Sequence, residues 1–229
     1  MLRIGQLKIK TGHTKEELER KVERALGVSR EEIQSIEIRK RSIDARKKPE
    51  IYYVYTVDVK LTKVKKEKAI LSRRKLKDVS EAKETSYEFP ACREASEMKH
   101  RPVVVGSGPA GLFCAYLLAK HGYRPILIER GAPVEERKKA VEAFWETGVL
   151  DTRTNVQFGE GGAGTFSDGK LNTLVKDPAG RNREVLKIFV AHGAPEEILY
   201  ENKPHIGTDI LIDVVRRMRE SIEDSGGEC

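Results

Sequence analysis

The sequence predicts a mixed α/β protein in two parts. A small basic α+β domain with its connector covers residues 1–95, and a parallel α/β domain, only its N-terminal part, covers residues 96–229. Three observations carry this reading. A strictly alternating run, Ile51–Leu61, follows an amphipathic helix pattern in the first part. The apolar triplet Val103-Val104-Val105 leads into Gly106-Ser107-Gly108-Pro109-Ala110-Gly111 and then an uncharged helical stretch. Charge divides at the same place: residues 1–100 hold 26 Lys+Arg and 17 Asp+Glu, a net +9, whereas residues 101–229 hold 17 and 19, a net −2.

In the first part, Leu2, Ile4, Leu7 and Ile9 give a strand signal weakened by Gly5. Thr14 and Glu17 have capping-box spacing, and Leu18, Val22, Ala25 and Leu26 form the apolar stripe of the helix they open. Gly27 sits where that helix stops, and Ser29 with Glu32 repeats the cap before a short turn. Ile36 and Ile38 begin a strand. In the next one Ile51, Tyr53, Tyr55, Val57, Val59 and Leu61 share one face. The polar Ser42–Glu50 stretch between them, with Pro49, reads as the long loop of a hairpin. A lysine-rich segment follows, and residues 78–100 read as a connector.

In the second part, Val103–Val105 is a run of the kind found in buried parallel strands. A helix from about Pro109 to Lys120 ends at Gly122, and Pro125–Glu129 is the next strand. Pro133–Thr147 reads as a helix with Val141, Phe144 and Trp145 on its apolar side. Residues 151–180 lack periodicity. Helices are expected near Asn182–His192 and Thr208–Asp224, the latter burying Leu211, Val214, Val215, Met218 and Ile222. Phe113, Tyr116, Leu117 and Leu118 read as helix core, and Cys114 as a small buried hydrophobe.

Composition narrows the function classes. With 38% hydrophobic and 34% charged residues in 229, the chain is too apolar for disorder and too polar for a membrane protein. The cysteines Cys92, Cys114 and Cys229 lack C-x-x-C spacing, so neither a disulfide framework nor a zinc site is suggested. Their odd number, with no secretory signal, points to a reducing cytoplasm. Pro102–Ala119 is uncharged, but its Gly-Ser-Gly-Pro centre breaks it into strand, turn and helix, so no membrane partner is expected.

The Gly106–Gly111 string is the strongest chemical signal. Gly106 permits a tight turn off the strand, Gly108 lets a pyrophosphate approach the backbone, and Gly111 allows close helix–strand packing. Pro109 costs little in a first turn whose N–H has no partner, and the free amides around Ala110 face the phosphates at the positive end of the helix dipole. Glu129 closes the next strand 18 residues after Gly111, where a carboxylate accepts both hydroxyls of an adenosine ribose and repels a 2′-phosphate. These are the marks of a Rossmann-like dinucleotide site.

The string from Val103 to Leu112, with Ile128-Glu129-Arg130 downstream, resembles the FAD-binding start of flavoproteins. With Asn155–Leu171 and Lys203–Asp209 it resembles, within that branch, a poorly characterised family of FAD-dependent dehydrogenases that carry a small N-terminal domain. The resemblance implies a Rossmann-like FAD/NAD(P)-binding domain and a FAD-dependent oxidoreductase with no particular small-molecule substrate. NAD(P)H is a candidate electron partner, and Arg130 joins the cofactor-binding residues. It further implies that the loop holding Gly159, Gly161, Gly162, Gly164 and Gly169 closes over the flavin or its pyrophosphate, with Gly161, Gly162 and Gly164 nearest. By themselves, these glycines make a loop of little bulk and many exposed amides, packed by Phe158, Phe166 and Leu171. Asp168, Lys170 and His205 are the proton-transfer groups near the motifs, each read as structural or solvated, and no catalytic residue is assigned.

Two parallel strands with several amphipathic helices leave a sheet edge uncovered, so the chain is expected to be the N-terminal part of a longer protein or a truncated gene product and, alone, to bind FAD weakly or not at all and lack turnover. The other function class is a basic nucleic-acid- or protein-binding module fused to a truncated, inactive nucleotide-binding domain, its basic face otherwise solvated or docked on an acidic partner. Between Arg39 and Lys77 stand 15 Lys+Arg against 4 Asp+Glu. Only Tyr52 of the nearby tyrosines is off the buried phase and free to stack on a base, and no RNA-binding motif is present, so nucleic acid is the weaker candidate partner.

Overall fold

A computed structural model describes residues 1–72, 77–83, 85–90, 94–171, 173 and 175–229. Cys92 and the basic residues Arg73, Arg74 and Lys75 lie outside the described residues. The chain is mixed α/β and divides into two units. Met1–Thr85 with Leu199–Pro204 forms the first, and Ser86–Ile198 with His205–Cys229 the second.

The first unit is a four-stranded antiparallel sheet built from β1 (Leu2–Lys10), β2 (Ile33–Lys47), β3 (Glu50–Leu61) and β4 (Val79–Glu81), in the order β2-β3-β1-β4. The weak signal in β1 has a local cause. The pairing with β3 slips between Ile4 and Leu7, and Gln6 there has φ 55°. This bulge shifts the alternation by one residue, so Leu2, Ile4 and Leu7 all face the core. Helix α1 (Lys15–Leu26) starts with the reciprocal Thr14–Glu17 bonds and ends on Gly27 at φ 66°. With α2 (Val64–Leu71) it adds Leu18, Val22, Leu26 and Ile70 to the core of Tyr55, Val57, Val59 and Leu61. On the opposite face Asp58, 2% exposed, receives Arg3 at 2.7 and 2.8 Å and Arg39 at 3.2 Å.

Three expectations for this unit are corrected. The predicted long loop Ser42–Glu50 is mostly strand: β2 runs to Lys47, with Asp44 opposite Tyr52 and Lys47 opposite Glu50. A strand at a sheet edge carries polar residues, and here even the buried Asp44 is polar, satisfied by Lys8 and Arg46, so the composition resembles a loop. The lysine-rich segment forms α2, and part of the predicted connector is β4. Ile51, placed on the buried face, is 43% exposed because it stands at the outer end of the hairpin.

The second unit begins with β5 (Val103–Val105) and β6 (Ile126–Ile128), paired in parallel, with α3 (Pro109–Lys120) crossing between them. Glu228 bridges in parallel beside Ile126, its N–H bonding the Pro125 carbonyl at 2.9 Å and its carbonyl accepting from Leu127 at 2.7 Å. Helices α4 (Val134–Thr147), α5 (Arg181–Ala191) and α6 (Thr208–Asp224) follow. The core joins Leu112, Ala115, Tyr116 and Ala119 of α3 to Leu211, Val214, Val215, Met218 and Ile222 of α6. No helix among the described residues is long and apolar enough to cross a membrane.

Burial departs from expectation in three places. Val103 and Val105 are 57% and 82% exposed, with Ile128 beside Val105 also exposed. Only the face carrying Val104 and Leu127 meets the core, so the triplet is half-buried rather than buried on both faces. Cys114 is exposed, because α3 packs through positions 112, 115, 116 and 119, and residue 114 falls on the other side of that helix. In α4 the inward stripe is Val134, Arg137 and Val141, which leaves Trp145 62% exposed.

Candidate functional site

The turn from β5 into α3 separates the three glycines by physical role. Gly106 has φ 92°, a region closed to most side chains. At Gly111 an added Cβ would lie 1.8 Å from the Gly106 carbonyl oxygen and 3.4 Å from the Val104 side chain, so glycine here lets helix and strand touch. Gly108 differs from both. Its φ of −64° suits any residue, and a Cβ would meet no atom within 4 Å. Neither strain nor packing within the protein calls for glycine at 108; what it keeps clear is the space before the loop. Pro109 is the first residue of α3, and the amides of Ala110 and Gly111 belong to a first turn without intrahelical acceptors.

Glu129 lies just past β6 and reaches back to this turn. One carboxylate oxygen accepts from the Ser107 amide at 2.7 Å and the Ser107 hydroxyl at 3.0 Å, and the other from the Gly131 amide at 2.9 Å. Burial pushes its pKa up, but these hydrogen bonds together outweigh burial and hold the carboxyl below its ordinary value. A cavity of about 230 Å³ opens beside it, lined also by Gly131, Glu160 and Arg219. Arg130, the next residue, is exposed, its guanidinium 4.0 Å from the centre of the Phe158 ring.

The second glycine loop lies directly on the first. The Gly161 amide donates to the Ser107 carbonyl at 2.8 Å, and a Cβ on Gly162 would stand 3.0 Å from Pro109 Cδ and 3.2 Å from Gly108 Cα. Gly161 and Gly162, both at positive φ, are thus brought to the turn. Gly164 stands further along, in the short 3₁₀ turn Ala163–Phe166. Beside both loops is a largely apolar cavity of about 470 Å³, lined among others by Pro109, Ala110, Phe113, Thr165, Leu171 and Phe189. The Thr165 hydroxyl is buried without a hydrogen-bond partner among the described residues, an orphaned polar atom in an otherwise apolar wall.

Arg137 organises this loop, a role that sequence reading missed. Fully buried, it donates to four backbone carbonyls: Asn155 at 2.9 Å and Val156, Glu160 and Gly162 at 2.7 Å each. Burial lowers its pKa from the ordinary arginine value, opposed by the Glu129 and Glu160 carboxylates. Glu160 completes the clamp, accepting from the Val134 amide at 2.7 Å and facing Arg219 at 3.1 Å. Burial pushes Glu160 upward more than these partners pull it down. The signal for Arg137 was present: a charged residue at i+3 of the stripe Val134–Val141.

Asp168 and His205 line neither cavity, whereas Lys170 borders the apolar one. Asp168 and Lys170 pair at 2.7 Å with both side chains 65% exposed, and Lys170 bridges to His205 through the backbone. The Lys170 partner lowers the Asp168 pKa and is itself raised in return. Solvated groups of this kind make a surface ion pair.

Comparison with known proteins follows the same division. Residues 104–134 match the NAD(P)-binding Rossmann-like domain family, the stretch that holds the Gly106–Gly111 turn, α3, β6 and Glu129. The chain carries a Rossmann-like nucleotide-binding segment. Residues 1–60 match a domain of unknown function, DUF8436. An uncharacterized protein of Clostridium beijerinckii is 47% identical over 228 residues, 99% of this chain and 42% of the relative. The chain thus spans less than half the length of that relative.

Proposed function

We propose that the second unit binds the ADP portion of FAD and that the protein is a FAD-dependent oxidoreductase, with NAD(P)H as a candidate electron partner. The observation that carries this reading is the open space before Gly108, bounded by the α3 N-terminus and by the second glycine loop. A side chain there would fill volume that nothing in the protein uses, and two phosphates need that volume.

The residues fit a dinucleotide with an apolar head. The amides of Ala110 and Gly111 receive the pyrophosphate, and Glu129, facing its small cavity, orients the adenosine ribose. Glu160 and Glu223 line that cavity too, and the one cation among the described residues lining it, Arg219, is already paired with Glu135 and Glu160. Acidic groups thus prevail where a 2′-phosphate would need free cations. Arg137 holds Gly162 and its neighbours over the phosphate turn and excludes water there. The cavity beside Phe113, Leu171 and Phe189 suits a flat ring system, and the unpartnered Thr165 hydroxyl is positioned for one polar atom of it. Bound FAD supplies an isoalloxazine that accepts a hydride, chemistry asking few acids or bases of the protein.

Titration with FAD, FMN, NAD⁺ and NADP⁺ tests the reading. FAD is expected to bind at least tenfold more tightly than FMN, which lacks the ADP portion, and NADP⁺ most weakly. Equal affinity for FMN and FAD, or a preference for NADP⁺, overturns it.

A further inference from the structure

The basic side chains of the first unit are not arranged as their sequence density suggests. Within the run from Arg39 to Lys77, Arg39 faces Glu37 and Asp58, Arg41 faces Glu201, Arg46 faces Asp44, and Lys66 faces Glu32. These four of the run's twelve described basic residues are neutralised where they stand, its remaining lysines being spread along the strands, α2 and the turns beside them.

Outside that run, unpaired charge is gathered around one concavity, a groove of about 880 Å³ between β1 and α1. Glu17, Lys21 and Arg24 follow at i, i+4 and i+7 along the helix, with Arg20 beside them, and Lys8 and Lys10 come from the strand. The one acid among the lining residues, Glu17, is occupied by the Thr14 amide at 2.9 Å in the helix cap. Lys8 is committed to Asp44 at 2.9 Å and lies 4.2 Å over the Tyr52 ring, while the Lys21 ammonium reaches the Lys8 carbonyl. Among the described residues Arg20, Lys21 and Arg24 face no carboxylate at ion-pair distance, and Lys10 has only Glu50 at 3.9 Å. Arg20 and Arg24 are exposed on the rim.

Like charges held around one concavity repel, and a folded chain gains nothing from collecting them. A concave wall of low polarisability also focuses their potential outward. An anion with several closely spaced charges relieves that repulsion, and arginine's planar fork matches phosphate oxygens two at a time. The volume lies in the range of small-molecule sites, and Tyr52 offers a flat wall. We propose that this groove is a binding site for a multiply phosphorylated anion of nucleotide size, held through Arg20, Arg24, Lys21 and Lys10. The same phosphates arrive on a free nucleoside polyphosphate or within single-stranded nucleic acid.

The test is calorimetric titration of the whole chain at low salt with inorganic tripolyphosphate, ATP and a single-stranded oligonucleotide. All proteins carry Gly108→Ala, so that phosphate bound at the second unit does not contribute. Tripolyphosphate is expected to bind, to weaken with added salt, and to lose at least tenfold in affinity with Arg20→Glu/Arg24→Glu. Arg20→Gln/Arg24→Gln provides the same readout should charge reversal disturb α1. Tighter binding of ATP than of the oligonucleotide identifies the free nucleotide as source, and the reverse order the nucleic acid. Absence of tripolyphosphate binding, or binding unchanged in both double variants, overturns the proposal.

Discussion

Gly111 and Gly108 stand three residues apart in one motif, and their replacement by alanine should fail in opposite ways. At 111 the new Cβ would sit 1.8 Å from the Gly106 carbonyl oxygen, a backbone atom that no rotamer change can move aside. Ordinary contact requires α3 to retreat from β5 by more than about 1 Å, through a core that packs Leu112, Ala115 and Ala119. Overpacking of this kind costs about 3 kcal/mol or more, a fall of roughly 6–12 °C in Tm for a protein of this size. At 108 the backbone already has φ −64° and ψ 179°, and the Cβ meets nothing. Loss of glycine at a helix N-cap costs up to about 1 kcal/mol, offset by the smaller entropy of the unfolded chain, about 0.4–1 kcal/mol. Stability should therefore stay within about 1 kcal/mol of the parent, while dinucleotide affinity falls at least tenfold, about 1.4 kcal/mol. Denaturant unfolding followed by circular dichroism gives the first quantity and FAD titration the second. The reasoning is refuted if Gly111→Ala unfolds at the parent midpoint, or if Gly108→Ala is the less stable of the two.

Arg137→Met should free four loop carbonyls and destabilise the second unit by about 3 kcal/mol, read as faster hydrogen exchange at Gly161 and Gly162; unchanged protection there would show that the clamp is not needed. Asp58→Asn leaves Arg3 and Arg39 facing each other without their carboxylate. A loss of about 2–3 kcal/mol is expected, discounted for the partial exposure of both arginines and measured as a shift in denaturant midpoint. Glu129 has a folded pKa below its ordinary value, so its contribution is complete above the unfolded carboxyl range and is lost as pH falls through the folded value. Glu129→Gln should flatten that acid limb in a series of melts from neutral to acid pH; a limb of unchanged slope would count against the Ser107 and Gly131 bonds.

Much of the fold is legible in the chain because it depends on local rules. Thr14 and Glu17 cap α1, Gly27 ends it, and Pro109–Lys120 and Thr208–Asp224 have the expected bounds, since capping and periodicity act over one or two turns. The misreadings all involve neighbours distant in sequence. Ser42–Lys47 looks like a loop until Tyr52 and Val54 pair with it. Cys114 and Trp145 look buried until the side of the helix that meets the core is known. Within the candidate site, Gly106–Gly111 and Glu129 are readable from spacing. For Arg137, spacing marks an inward position on α4 but not its four acceptors, which lie 18 to 25 residues away in a segment without periodicity.

The asymmetry of charge, +9 before residue 100 and −2 after it, is a property of the sequence alone, as is the phosphate-cradling order of strand, glycine turn and helix. Where that positive charge is free to act was decided by the tertiary structure. Pairing in space neutralised Arg39, Arg41, Arg46 and Lys66, and folding gathered Arg20, Lys21 and Arg24, unpaired, around one concavity. Composition counts charges, whereas Coulomb energy depends on their separation, and only the fold sets the distances.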